Sequence, residues 1–240
     1  MVRVGQTLPK RPRLRQAAVG NSNKLVDTKG MSPDALSEGS HPPRLPIDCV
    51  LLAAGSSTRM GKPKQLIPFR GRPLFSHALD AALSACRRVI LVWGAVDLRE
   101  YLPARPDLLL VENSSYHLGQ LGSLQRGLAA RESESAFIMV ADIPLLRRET
   151  FFQVAGAIGG AAAAYPVYRG ERGHPVLLAP PAIEAIRTAH PSRRAMQIIQ
   201  PLGARPVEVE DPGVTSDADT PEDLARLEDL ARLLRGGSMS

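Results

Sequence analysis

A few side chains in this sequence are of the types and spacing needed to work on phosphate. The stretch LLAAGSSTRMGKPKQL (51–66) runs four apolar residues into a small-residue turn, then places Arg59, Lys62 and Lys64 within six positions. Arginine offers a planar fork and lysine a point charge, and both neutralise polyphosphate. Gly55 lets the backbone turn and come close to a ligand. The amides of Ser56, Ser57 and Thr58 can form an anion-binding concavity. A solvated turn with surface cations is the competing reading of this loop taken alone. Two carboxylates extend the set. Asp142 directly follows the apolar run FIMVA, and Asp217 lies in SDADTPEDL just ahead of a helix signal. An aspartate so placed is as often a turn or cap residue as a metal ligand. A phosphate loop facing carboxylates is nevertheless what Mg²⁺ takes, since it binds a few carboxylates together with phosphate oxygens. Asp217 is the better ligand candidate, because Asp219 adjoins the helix cap.

The familiar phosphate loops are excluded by counting. A P-loop starting at Gly55 needs glycine at 60 and a hydroxyl after the lysine, but Met60 and Pro63 stand there. The dinucleotide fingerprint fails at Ser57, which occupies its second glycine position.

The elements that must position these groups read as alternating strands and helices. IDCVLLAA (47–54), RVILVW (88–93), DLLLV (107–111) and AFIMVA (136–141) are short apolar runs ending at turns, the pattern of strands buried on both faces. Helical segments at 73–86 and 121–133 lie between several of them. The alternation predicts an α/β fold, three-layer αβα, with a mostly parallel, Rossmann-like sheet. In such sheets ligands bind outside the carboxyl ends of the strands, and the runs ending at 54 and 141 deliver their motifs to that edge. Further strands are expected at AAAAYPVY and PVLLA around the loop RGERGH. Helices are expected at PPAIEAIRTA, at RRAMQIIQPL and from Pro221, with Thr220 as the cap and Asp223 three residues on.

The composition is that of a globular chain, 44% hydrophobic, with no apolar run long enough for a membrane helix. No secretory signal is evident, and Cys49 and Cys86 make neither a disulfide framework nor a metal pair. A reduced, cytoplasmic setting is expected. The net charge of +6 is concentrated in residues 1–44, which hold eight Lys/Arg against three acids; residues 45–240 hold 22 bases and 21 acids. Nucleic acid is therefore not an expected partner of residues 45–240. Residues 1–44 read as a disordered basic extension, either inert or a docking arm, and residues 45–240 as one domain.

LAAGSSTRMGKPKQLIPFRGRPL resembles the signature loop of nucleotidyltransferases of the molybdenum cofactor cytidylyltransferase type. GQLGSLQRG (119–127), ADIP (141–144), GERGHPVLL (170–178) and SDADTPEDL (216–224) follow in the family's order. The resemblance implies the nucleotide-diphospho-sugar transferase type of sheet, and transfer of CMP from CTP to molybdopterin or the molybdenum cofactor with release of pyrophosphate. It implies that Arg59 and Lys64 neutralise the triphosphate and that Asp142 and Asp217 hold Mg²⁺. It also implies that Leu52, Ala53, Ala54, Gly55 and Ser56, with Gly122 and Ser123, bind the nucleotide. Alanine at 54 favours CTP over GTP. His174 falls near the pterin, where it could bind substrate or simply shape a turn. A molybdenum hydroxylase is the expected recipient of the product. A sugar or polyol phosphate acceptor, or a carrier without turnover, are the alternatives.

Overall fold

The structure, a computed structural model, describes residues 43–56 and 63–236. Arg59, Ser57, Thr58 and Lys62, and the basic stretch through residue 42, lie outside the described residues. What the sequence leads one to expect of them lies there too.

The first strand, β1 (Leu45–Ala53), leads to a two-stranded antiparallel hairpin of β2 (Pro68–Phe69) and β3 (Arg72–Pro73). Then come α1 (Leu74–Ala85), β4 (Cys86–Trp93), β5 (Leu108–Glu112), α2 (Gln120–Ala129) and β6 (Ala136–Val140). The second half holds α3 (Arg148–Ala157), β7 (Ala163–Tyr168), β8 (Glu171–Arg172), β9 (Val176–Leu178), α4 (Pro180–Thr188) and α5 (Ala195–Ile199). It finishes with β10 (Ala204–Glu208) and α6 (Pro221–Gly236).

Apart from the hairpin, the strands form one sheet in the order β10-β7-β9-β6-β1-β4-β5, with β8 paired to β7. Pairing is parallel except at β8 and β9, which run against their neighbours. The αβα fold expected from the alternation is therefore present. Side chains alternate along each central strand as the pleat demands. Cys49, Leu51 and Ala53 of β1, Val89, Leu91 and Trp93 of β4, and Phe137 and Met139 of β6 face one layer, packed with Phe75, Leu79, Phe151 and Val154 of α1 and α3. Val50, Ile90, Val92 and Ile138 face the other, against Leu121, Leu124 and Leu128 of α2 and Ile183 and Ile186 of α4. Burying each Val, Leu, Ile, Phe or Met side chain among these contributes about 1.5–3 kcal/mol. α2 comes close to the sheet at Gly127, where a Cβ would lie 2.3 Å from Val50 Cγ1.

The structure departs from the sequence reading at the end of α2 and at β8, α3 and β10. The helix expected to reach 133 stops at Ala129, because the chain beyond it wraps the buried carboxylate of Asp48. The amides of Glu132 and Ser133 donate to Asp48 Oδ2 at 2.7 and 3.2 Å, and Arg88 pairs with the same oxygen at 3.0 Å. The loop RGERGH contains the short strand β8. Helix α3 and the edge strand β10 were not foreseen; β10 is mostly exposed, so its sequence lacks the apolar run that marks the central strands. The cap of α6 is as expected: Thr220 Oγ1 accepts from the Asp223 amide at 3.1 Å, and Asp223 Oδ2 accepts from the Thr220 amide at 2.8 Å.

The sheet order creates the site. β1 lies between β4 and β6, so the chain builds outward through β4 and β5 and then returns to the opposite side of β1. Loops leaving the carboxyl ends of β1 and β6 diverge, and a crevice opens at this switch point.

Candidate active site

A cleft of about 230 Å³ occupies that crevice. Leu52, Ala53, Ala54 and Gly55 line it from β1, Val140, Ala141 and Asp142 from β6, and Gln120 and Ser123 from the first turn of α2. Ser56 is exposed and stands outside this lining. The backbone at Gly55 is not left-handed, and a Cβ there would meet nothing within 4 Å. The turn itself therefore does not require glycine; the open space leaves room for a ligand to approach. Gln65, which also lines the cleft, holds this strand end. Its Nε2 donates to Ala53 O at 2.9 Å and to Gly55 O at 2.6 Å.

Lys64 is the electrostatic centre. Pro63 leads into a single 3₁₀ turn, Lys64–Leu66, which buries Lys64 and Gln65 together. Lys64 Nζ donates to Asp142 Oδ2 at 2.6 Å and to Asp219 Oδ1 at 2.6 Å. Burial pushes the ammonium's pKa down, but the pull of the two carboxylates outweighs it and holds the group above the usual lysine value. Lys64 is thus a fixed buried cation at the end of β6. The sequence reading set Asp219 aside in favour of Asp217; in the structure Asp219 is the C-terminal carboxylate that reaches Lys64. Asp217 is exposed, and its pKa is raised, first by burial of part of the carboxyl and then by repulsion from Asp219 and Asp142.

The carboxylates have capacity for a cation. Asp142 Oδ1 is buried and accepts no hydrogen bond among the described residues. No group of three or more His, Cys, Asp and Glu side chains among the described residues could enclose a metal alone. Magnesium asks for less, one or two carboxylates with water and substrate phosphate. Asp142, with Asp217 or Asp219, fits that requirement.

A second depression of about 340 Å³ shares Asp142 and Val140 with the cleft and is lined further by Arg172, His174, Asp217 and Asp219. The two hollows therefore meet at Asp142. His174 is held by its amide, which donates to Val214 O at 2.9 Å, and its Nδ1 lies 3.4 Å from Ile138 O. Burial lowers its pKa, so the ring is neutral at neutral pH and offers hydrogen bonds rather than charge. Gly173 allows this loop to close on the neighbouring turn; a Cβ would lie 2.3 Å from Val214 O.

The α2 pair separates. Ser123 reaches the cleft, buried, with its Oγ accepting from Asn113 Nδ2 at 2.8 Å. Gly122 instead lines a depression beside Gln125, Arg126 and Pro191. The two residues therefore line different hollows, as neighbouring helix positions about 100° apart can. Sequence reasoning also passed over Gln65, Asn113, Tyr116 and Gln120. Gln65 directly follows Lys64 in the signature loop and Gln120 lies in the motif GQLGSLQRG, which were the available signals; Asn113 and Tyr116 had none.

Residues 49–208 match the MobA-like NTP transferase domain. The chain is 29% identical over 181 residues to the molybdenum cofactor cytidylyltransferase of Escherichia coli strain K12, covering 74% of this chain and 93% of that protein. It is 27% identical over 189 residues to a probable molybdenum cofactor guanylyltransferase of Trichormus variabilis, covering 75% and 89%. Among solved structures, a homologue of Mycobacterium tuberculosis Rv0371c from Mycobacterium sp. strain JC1 superposes with a TM-score of 0.67 at 26% identity, covering 78% of this chain and 98% of that one. With its switch-point cleft and its lysine–aspartate cluster, the chain belongs to the MobA-like NTP transferase family.

Proposed function

We propose that this nucleotidyltransferase moves CMP from CTP onto the terminal phosphate of molybdopterin, with or without bound molybdenum, and releases pyrophosphate. The observation that carries the reading is the Lys64–Asp142–Asp219 cluster at the junction of two hollows. One hollow opens onto the signature strand end and the other onto His174 and Asp217, so donor and acceptor could meet at Asp142. The similarity to a cytidylyltransferase over three quarters of the chain supports the cytidylyl choice.

The acceptor phosphate is ionised at neutral pH, so no covalent nucleophile is needed. The work is to bring two anions together and to stabilise charge on the departing pyrophosphate. Lys64 supplies a buried positive charge at that point; Arg59 of the signature loop is assigned to neutralising the triphosphate. Asp142 with Asp217 or Asp219 would hold Mg²⁺, which when bound acts as a Lewis acid on phosphate oxygens. Leu52, Ala53, Ala54 and Gly55 with Ser123 receive the nucleoside. A neutral His174 hydrogen-bonds the pterin rather than pairing with phosphate. The product would serve a molybdenum hydroxylase in the cytoplasm.

The test is pyrophosphate release from CTP with purified molybdopterin and Mg²⁺. Turnover should fall more than 100-fold in Asp142→Ala, and wild-type release no higher than that variant's overturns the reading.

A further inference from the structure

Gln65 is 7% exposed and forms part of the lining of the cleft. Its orientation is fixed chemically. Nε2 donates to two backbone carbonyls, Ala53 O and Gly55 O. Reversing the amide would set its oxygen against both of them. With the nitrogen committed, Oε1 is left buried with no donor among the described residues. A buried acceptor without a partner is costly, and this one belongs to a side chain bordering a ligand cleft. The complementary ligand group is an N–H donor, close to the backbone of residues 53–55.

We propose that Gln65 Oε1 accepts a hydrogen bond from the exocyclic amino group of the nucleotide base, which makes Gln65 a specificity-determining residue. Cytosine presents an amino donor where uracil presents a carbonyl oxygen. Uracil would therefore set acceptor against acceptor. The same side chain clamps Ala53 and Gly55, so the acceptor and the strand end that borders the base are positioned by one residue. This inference rests on the nucleotide reading above and adds to it the atom that selects the base.

The experiment is calorimetric titration of CTP and UTP with Mg²⁺ into the wild type, Gln65→Lys and Gln65→Met. The Gln65→Lys ammonium can still donate to both carbonyls but has no acceptor; Gln65→Met removes both functions without adding charge. The wild type should favour CTP over UTP by about 10-fold or more, the scale of one mispaired buried group. Both variants should bring the ratio to within about threefold of unity. The triphosphate of 2-pyrimidinone riboside, which lacks the amino group, tests the wild type even if the variants fold poorly, and should bind more weakly than CTP. Unchanged discrimination in the variants, or pyrimidinone binding as tight as CTP, overturns the assignment of Oε1 and leaves the cytidylyl reading standing. Wild-type protein that binds neither CTP nor UTP overturns both.

Discussion

Lys64 and Asp142 stand 78 positions apart in the chain and 2.6 Å apart in the fold. Their pairing ties the signature loop to the end of β6, while Asp219 ties both to the start of α6. Removing the ammonium leaves two carboxylates facing each other without their cation. Lys64→Met should lower stability by about 2 kcal/mol, below the full value for a buried pair because Asp219 is half exposed. Turnover should fall more than 100-fold. The double variant with Asp142→Asn should recover part of the stability but none of the activity. Urea denaturation beside a pyrophosphate assay checks both.

Asp217 carries a charge that its neighbours oppose. Its raised pKa, caused first by burial and then by Asp219 and Asp142, means that ionisation at neutral pH destabilises the fold. A carboxyl with a folded pKa above its unfolded value binds a proton more readily when folded, so its contribution to stability grows as pH falls through that raised value. Asp217→Asn should therefore raise the melting temperature at pH 7, and on the proposed role of Asp217 in holding Mg²⁺ it should also weaken turnover. An unchanged or lower melting temperature would contradict this.

Asp48 behaves in the opposite sense and lies far from the chemistry. Burial pushes its pKa up, but the amides of Glu132 and Ser133 and the guanidiniums of Arg87 and Arg88 outweigh it, and the net value is lowered. Its stabilisation is present above the ordinary aspartate range and is lost as pH falls through the lowered folded value. Asp48→Ala should cost about 3 kcal/mol, because it leaves the Glu132 and Ser133 amides unbonded and takes one carboxylate from Arg88, which keeps Glu132. The turnover number at pH 7 should not move. Denaturation curves at pH 7 and near pH 3 should show the difference from wild type shrinking at the lower pH.

Gly127 tests the packing of α2 on the sheet. Gly127→Ala places a methyl group 2.3 Å from Val50 Cγ1 and 2.9 Å from Val92 Cγ2, an overpacking that should cost about 1–3 kcal/mol. Val50→Ala in the same molecule should relieve much of it. Chemical denaturation of the two single variants and the double variant measures the coupling.

Much of the fold was legible because the central strands are buried on both faces, so runs such as IDCVLLAA and AFIMVA announce themselves. β10 did not, since an edge strand covered on few sides needs no continuous apolar run. The end of α2 was read too far because nothing local shows that the chain beyond Ala129 turns to coordinate Asp48, 84 positions earlier. The sequence by itself determined the signature loop, the order of its motifs and the two-layer covering of the sheet, which follow from residue type and short-range period. Only the tertiary structure decided which carboxylate meets Lys64. It also decided that Ser123 and Gly122 line different hollows, and that the Gln65 amide is committed to Ala53 and Gly55. Those choices depend on how β1, β6, α2 and the start of α6 converge. Convergence is set by packing between segments up to 155 positions apart, and no local spacing encodes it.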